Sequence, residues 1–126
     1  MEMKILKNIP IARKLYENFH EESLFVDFSC CNQNMHINIL NDYNLLENLV
    51  SKNILDKDDI IKNGLAKITS KYEKHLGSFS VFSNLPAYYH IIVCDLCKKR
   101  YMIVYGCGES QPGRDVVYIS GIWEVE

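Results

Sequence analysis

The sequence predicts a single α+β domain over residues 1–126, with an antiparallel sheet of about five strands and helices packed on one face of the sheet. Three observations support this fold class. The 126-residue chain is 48% hydrophobic and 24% charged, which is the composition of one globular domain with one ordinary core. Several short runs alternate apolar and polar residues, as strands do. Other segments place apolar residues three and four positions apart, which favours helices.

Two helices are expected in the first half of the chain. Asn8 and Pro10 fit a helix start, and the apolar spacing that follows predicts an amphipathic helix over residues 9–22. A short helix with a leucine-rich stripe should come next, with Asn41 or Asp42 as its N-terminal cap.

The third and longest predicted helix spans residues 57–76. Asp56 is its expected N-terminal cap, and Gly77 stands where a left-handed residue is preferred after a helix. Apolar positions in the predicted helices and strands define the expected core. The residues expected to be buried are Leu15, Phe19, Ile37, Ile39, Leu65, Ile68, Tyr72, Ile103, Ile119 and, at least in part, Trp123.

Apolar runs predict strands at 24–30, 35–40, 88–94, 101–107 and 115–124. The last three should be neighbours in the sheet, because the connections between them are short. Gln-Pro-Gly-Arg at 111–114 predicts a type II turn, since Pro fixes φ near −65° and Gly accepts a positive φ. In the last strand, Val117, Ile119, Gly121 and Trp123 are expected to share one face.

Composition narrows the location and the class of partner. The N-terminal segment has no apolar run long enough for a signal peptide, and no stretch reaches the ~18 apolar residues of a membrane-spanning helix. A net charge of −2 argues against a strongly basic nucleic-acid binder. Five cysteines without a secretion signal predict a cytoplasmic protein with free thiols.

Cys94 and Cys97 give the strongest chemical signal, with His90 before them and Cys107 after them. Four nitrogen and sulfur ligands would suit zinc. If 88–107 forms a hairpin, however, Cys107 lies roughly 20 Å from the turn, at about 3.3 Å per residue, and cannot join the same chelate. A redox pair should open a helix after a strand, and this pair stands at an expected hairpin turn. Buried or incidental thiols are therefore the first expectation, with no metal.

Other residues give weaker signals. Cys30 and Cys31 are adjacent in a predicted strand, which predicts one core cysteine and one surface cysteine. Gly106-Cys107-Gly108 lacks the GKS or GKT ending and the following helix of a phosphate loop. The sequence contains no recognisable catalytic constellation. We therefore expect a binding protein without cofactor, and not an enzyme.

The C-terminal stretch YMIVYGCGESQPGRDVVYISGIWEVE resembles the corresponding part of small cytoplasmic immunity proteins found beside bacterial contact-dependent inhibition and other polymorphic toxins. The resemblance covers roughly the last third of the chain. It implies a protein that binds the C-terminal domain of a cognate toxin, possibly a nuclease, and blocks its active site or substrate surface. It implies no catalysis and no cofactor.

An acidic group is the expected contact surface for such a toxin. Its members are Asp42, Glu47, Asp56, Asp58 and Asp59. A nuclease carries basic residues that hold phosphate, so an acidic surface could compete for that site and accelerate encounter. The turn from Glu109 to Arg114 is the alternative contact surface.

Two other functions remain open. One is a zinc-binding or redox-active small domain that uses the Cys94/Cys97 pair. The other is a nucleic-acid-binding regulator that stacks bases on the tyrosine-rich sheet. The basic residues that should accompany those tyrosines are few, so direct contact with nucleic acid is not expected.

Overall fold

The computed structural model describes residues 3–9, 14–17, 25–39, 44–68, 79–81, 85–111 and 114–126. Within these ranges the chain forms ten strands and two short helices. In chain order they are β1 (Ile5–Ile9), β2 (Lys14–Glu17), β3 (Phe25–Cys30), β4 (Gln33–Asn38), β5 (Asn44–Leu45), α1 (Glu47–Ser51), α2 (Lys57–Lys62), β6 (Lys67–Ile68), β7 (Phe79–Val81), β8 (Leu85–Val93), β9 (Arg100–Gln111) and β10 (Arg114–Val125).

The centre of the fold is an antiparallel meander of β8, β9 and β10, in which each strand pairs with the next. The curled sheet continues in the order β1-β10-β9-β8-β7-β6. Strand β2 also pairs with the first half of β10, and β5 pairs with β8. Hairpin β3–β4 forms a separate two-stranded sheet. The predicted order of the last three strands is confirmed.

The expected α+β class, with helices packed on one face, is wrong, because the described chain is mostly β. The two helices have five and six residues and contribute one buried residue each, Leu49 and Ile60. Helices this short cannot cover a sheet. Neither helix of the described chain is long and apolar enough to cross a membrane.

The helix expected over 9–22 is replaced at its described positions by strand β2, and β1 precedes it. Asn8 lies opposite Trp123 and Leu15 lies opposite Tyr118, so β1 and β2 both follow β10. The apolar spacing in this segment fits a helix, but β10 offers a row of backbone groups that a neighbouring strand can pair. Tertiary pairing therefore overrides the local pattern.

The helix expected over 57–76 ends early, at Lys62. Its N-terminal prediction is confirmed, because Asp56 accepts a hydrogen bond from the Asp58 backbone N–H at 3.0 Å. Gly64 then adopts a φ of +74°, which stops the right-handed helix, and the chain enters β6. Residues 69–78, including Gly77, lie outside the described residues, as do Asn41 and Asp42.

Strand β9 divides the interior into two cores, because its side chains alternate between the two faces of the sheet. Met102 and Val104 join a first core with residues of the α1–α2 region. Tyr101, Ile103 and Tyr105 join a second core with hairpin β3–β4. That hairpin contributes Val26, Phe28 and Cys30, at alternate positions of β3.

A β-bulge in β10 changes which residues share a face. The pairing with β9 shifts register between Ile119 and Gly121. As a result Trp123 packs in the first core, whereas Val117 and Ile119 pack in the second. The single face expected for these residues is therefore wrong: the bulge adds one residue between the two halves of the strand. Gly121 fits beneath the indole, where a Cβ would lie 2.8 Å from Trp123 Cη2.

Most of the described part of the predicted core is confirmed. The buried members are Ile39, Leu65, Ile103, Ile119 and Trp123. Ile37 is half-buried. Ile68, on the terminal strand β6, is 52% exposed, so the prediction that it is buried is wrong. Phe19, Tyr72 and the Leu15 side chain lie outside the described residues. Gln111 pairs with Arg114, so two residues connect β9 to β10, as predicted. Pro112 and Gly113 themselves lie outside the described residues.

Replacing Trp123 with Ala should lower the free energy of unfolding by about 3 kcal/mol or more, because the indole is 1% exposed and its removal leaves a large cavity. Urea denaturation measures the change. Leu6→Ala, at a position that is 50% exposed, is the control and should change stability by less than about 0.5 kcal/mol. Equal losses in the two variants would contradict the placement of Trp123.

Candidate metal centre

Four of the five cysteines meet where two hairpin turns approach each other. Cys30 and Cys31 belong to the turn of β3–β4, and Cys94 and Cys97 to the turn between β8 and β9. Their four Sγ atoms all lie within 4.8 Å of one another. Residues 64 positions apart in the sequence, Cys30 and Cys94, thus become neighbours in the fold.

The first turn directs both of its cysteines to this point. Cys30 pairs with Gln33, which leaves Cys31 and Asn32 as a two-residue loop. Their φ values are 54° and 60°, the left-handed pair that suits the twist of a tight hairpin. Cys30 is buried beneath the hairpin and Cys31 is exposed at its tip. One core and one surface cysteine were predicted here, but not that both sulfurs join one cluster.

The second turn is closed by two backbone hydrogen bonds. The N–H of Lys98 donates to the Cys94 carbonyl, and the N–H of Cys94 donates to the Lys99 carbonyl, both at 2.9 Å. Lys98 has a φ of 65°, which lets the chain reverse directly after Cys97. This folding aims the backbone N–H groups of Cys97 and Leu96 at the Cys94 sulfur. The turn therefore supplies a preformed environment for a thiolate.

Distances within the cluster are short. The Cys30 Sγ lies 3.5 Å from the Cys97 Sγ and 3.8 Å from the Cys31 Sγ. The Tyr101 hydroxyl, from β9, donates a hydrogen bond to the Cys30 Sγ at 3.0 Å. The Tyr101 ring also meets Phe28 edge-on, with centroids 5.0 Å apart. The second core is thus continuous with the cysteine cluster.

Hydrogen bonds and burial shift the pKa values of Cys30, Cys31 and Cys94 in different directions. Backbone N–H donors from Cys97 and Leu96 lower the pKa of Cys94 to about 6. The Cys97 thiol and burial raise the pKa of Cys31 to about 12. The Tyr101 hydroxyl lowers the pKa of Cys30, but burial and the neighbouring thiols raise it overall. The Cys94 thiolate forms readily, whereas ionisation of Cys30 and Cys31 is favoured by a cation among the sulfurs.

The cluster has the dimensions of a tetrahedral zinc site. A Zn–S bond of about 2.3 Å places the four sulfurs of a tetrahedron about 3.8 Å apart. The two Sγ distances given above, 3.5 and 3.8 Å, lie close to that value. Four cysteine ligands are also a common donor set of structural zinc sites. The four side chains therefore fit Zn²⁺ with only small movements.

The other metal candidates lie elsewhere. Cys107 stands on β9 opposite Val117, and His90 on β8 opposite Ile103. Neither belongs to the four-thiol cluster. Cys107 is thus outside the chelate, as predicted from its place on the strand, whereas the ligand role of Cys30 and Cys31 is not predicted from sequence. A usable signal was present: each of two cysteine pairs stands at or beside a predicted hairpin turn.

The acidic residues proposed for toxin contact are partly brought together. Asp56 and Asp58 are exposed and Asp59 is half-buried, all at the start of α2, while Glu47 is half-buried at the start of α1. Asp42 lies outside the described residues. Glu109 stands in β9 and Arg114 begins β10, but their side chains are outside the described part of the chain.

No protein-family model, curated protein sequence or solved structure matches this chain. The resemblance to immunity proteins stays a prediction.

Metal-free protein should titrate one thiol near pH 6, because the folded pKa of Cys94 is about 6 against an ordinary 9.0. The ultraviolet absorbance of thiolate, followed from pH 4 to 8 in the presence of a chelator, measures it. Cys94→Ser should abolish this step and Cys107→Ser should keep it. A first thiol midpoint near pH 9 in the parent would contradict the hydrogen bonds from the Cys97 and Leu96 backbone to the Cys94 sulfur.

The same shift predicts how stability depends on pH. A lowered folded pKa stabilises the folded chain fully above the unfolded pKa, so the contribution of Cys94 grows from about pH 6 to 9. The raised pKa of Cys31 acts in the opposite sense, and its contribution is lost between pH 9 and about 12. The unfolding free energy of the metal-free protein should therefore contain a thiol contribution that is largest near pH 9.

Proposed function

We propose that this protein is a zinc-binding β domain in which Cys30, Cys31, Cys94 and Cys97 hold one Zn²⁺. The observation that carries the proposal is the convergence of four Sγ atoms within 4.8 Å from two separate hairpins. Four protein ligands leave no open position for a water or substrate, which is the arrangement of structural zinc and not of catalytic zinc. The metal would therefore support the fold and take no part in catalysis.

The donor set favours zinc over other common cations. Thiolates are soft ligands and bind Zn²⁺ far better than Mg²⁺ or Ca²⁺, which take oxygen. A tetrahedral four-sulfur site can also accept iron. Zinc binding requires thiolates, so it would release the protons that otherwise keep Cys30 and Cys31 neutral. Cys94, which ionises most readily, would be the first ligand available.

The position of the cluster indicates what the metal would do. Hairpin β3–β4 has no backbone pairing with the main sheet among the described residues. An isolated two-stranded hairpin is marginally stable in water. It rests on the meander through Val26 and Phe28, at the face that carries Tyr101. A zinc ion bound by both turns would fix the hairpin on this face.

Metal content tests the proposal directly. Protein purified without chelator should contain one zinc per chain by elemental analysis. Cys30→Ser and Cys94→Ser should each lose most of that zinc, whereas Cys107→Ser should retain it, because Cys107 lies outside the cluster. At a free zinc concentration 100 times Kd, the metal adds about 2.7 kcal/mol of stability, which chelation should remove.

Three outcomes of this experiment would count against the proposal. A parent protein without bound metal would overturn the zinc centre. Equal zinc loss in Cys107→Ser would show that the four-cysteine set is wrong. Iron in place of zinc would overturn the choice of metal.

The toxin-immunity hypothesis is a second proposal, favoured by the exposure of Asp56 and Asp58. Helix α2 turns Ile60 toward the first core, whereas Cys30 and Cys94 belong to the second. A structural zinc centre and an acidic contact surface would therefore use different sides of the sheet. The first would support the fold and the second would meet the basic surface of a nuclease toxin.

Charge reversal at Asp58 and Asp59 tests the acidic surface. Asp56 is left in place because it caps α2, and its loss would cost about 1 kcal/mol of stability. Asp58→Lys with Asp59→Lys should slow association with the toxin domain encoded beside this gene by roughly tenfold or more at low salt. Surface plasmon resonance measures the rate.

Lys57→Glu supplies the matched control on the same helix and should accelerate association. If the double variant binds and protects as the parent does, the acidic surface is wrong. If the parent binds no neighbouring toxin domain, the immunity hypothesis itself fails.

A further inference from the structure

We propose that the four-cysteine centre is also an oxidation site, at which a peroxide joins Cys30 to Cys97 by a disulfide and releases the zinc. This inference rests on the zinc centre proposed above and concerns its regulation. It starts from two observations. The ligands differ in exposure, and the Cys30 Sγ of one hairpin lies 3.5 Å from the Cys97 Sγ of the other.

Exposure decides where an oxidant would act first. Cys30 and Cys94 are buried, while Cys31 and Cys97 are exposed. Cys97 follows Leu96, which is 67% exposed at the tip of the β8–β9 turn. Within the 3.5 Å contact between Cys30 and Cys97, Cys97 is therefore the residue nearer to solvent. Susceptible thiolates in proteins are accessible ones with a resolving cysteine nearby.

Geometry restricts the choice of resolving partner. Bonding Cys30 to Cys31 is unfavourable, because adjacent Cα atoms lie about 3.8 Å apart and disulfides usually span about 4.4–6.8 Å. Cys94 is buried, and its sulfur is held by backbone N–H groups of its own turn. Cys30 lies 3.5 Å from Cys97, on the other hairpin. Cys30 is therefore the partner proposed for Cys97. The Cys31 thiol also contacts Cys97, so the mapping of the disulfide must distinguish the two.

The reaction balances with hydrogen peroxide as the oxidant. The Cys97 thiolate attacks one peroxide oxygen, the O–O bond breaks, and the departing hydroxide takes a proton to become water. Cys97 is then a sulfenic acid. The Cys30 thiolate attacks the Cys97 sulfur, the S–O bond breaks, and a second hydroxide leaves as water after protonation. Two thiolates have lost two electrons to the peroxide, and Cys31 and Cys94 remain as the only ligands.

The oxidised centre would have lost its zinc, but it would still connect the two hairpin turns. Two remaining cysteines are too few to hold zinc tightly, so the ion leaves. The new bond still joins the β3–β4 turn to the β8–β9 turn. A disulfide within the Cys94–Cys97 turn would also release zinc, but it would leave the hairpin untied. The pairing therefore determines whether oxidation preserves the docking of the hairpin.

Peroxide treatment of the zinc-loaded protein tests the inference. Zinc release is followed with a chromogenic indicator, and disulfides are mapped by mass spectrometry after trypsin digestion without reduction. Cleavage after Lys14, Lys52, Lys74 and Lys98 places Cys30 and Cys31 in peptide 15–52, and Cys94 and Cys97 in peptide 75–98. We expect one zinc released per cross-link between these peptides, with the mass lower by two hydrogens. Reductant and zinc should restore the starting state.

Single substitutions identify the two sulfurs within the linked peptides. They are made in metal-free protein, so that the loss of a zinc ligand does not affect the comparison. Cys31→Ser should keep the cross-link between 15–52 and 75–98. Cys30→Ser and Cys97→Ser should each reduce it at least tenfold. Cys107→Ser, whose thiol lies in a third peptide, should behave as the parent does.

The outcomes separate this inference from the zinc proposal. A zinc-loaded protein that keeps its metal in peroxide overturns the inference alone. So does a Cys94–Cys97 or a Cys31–Cys97 disulfide as the main product. A purified protein without zinc overturns the zinc centre, and regulated release falls with it.

Discussion

Strand β9 imposes the constraint on which the rest of the fold depends, because both of its faces are buried. Tyr101, Ile103 and Tyr105 point into one core, and Met102 and Val104 into the other. A strand in this position needs a covering layer on each side. The described helices are too short to form either layer alone. The chain uses a hairpin on one side and a mixture of loops, short helices and short strands on the other.

Hairpin β3–β4 is the more weakly attached of these layers. Its backbone hydrogen bonds run within β3–β4, and its attachment to the sheet depends on side chains. Val26 and Phe28 supply apolar contact, and Tyr101 links that contact to the cysteine cluster through its hydrogen bond to Cys30. Four thiols at the two turns complete the attachment. The location of the cluster is thus what one expects of a cross-link at the end of a weakly paired layer.

The sequence was most informative where local pattern and tertiary environment agree. The last three strands are long, rich in β-branched and aromatic residues, and joined by short turns, so their order could be predicted. Asp56 was recognisable as a cap, because capping depends on residues two or three positions away. The helix predicted over 9–22 is wrong at Lys14–Glu17, because the spacing suits a helix and only the exposed edge of β10 makes these residues a strand. The end of α2 before Gly64 depends on a positive φ at that glycine, which the apolar spacing does not show.

The cysteine cluster also depends on tertiary structure that a local sequence pattern does not show. Cys94 and Cys97 form a local motif that is visible in the sequence. Cys30 and Cys31 join them only when the hairpin folds back over β9. No spacing rule connects two turns that are 64 residues apart. What can be read from sequence is that each pair stands at or beside a turn, where sulfurs can project beyond the strands. Whether the two turns meet depends on the register and curl of the whole sheet.

Closure of the coordination shell and access from solvent are separate properties of this centre. Four sulfurs leave no ligand position open, so zinc bound there would act on the fold and not on a substrate. Two of the four residues, Cys31 and Cys97, are nevertheless exposed. The buried pair, Cys30 and Cys94, receives hydrogen bonds from Tyr101 and from the backbone of the second turn. The protein thus holds one half of the centre rigidly and leaves the other half within reach of solutes. A fully buried four-cysteine site would give the same stability without that access.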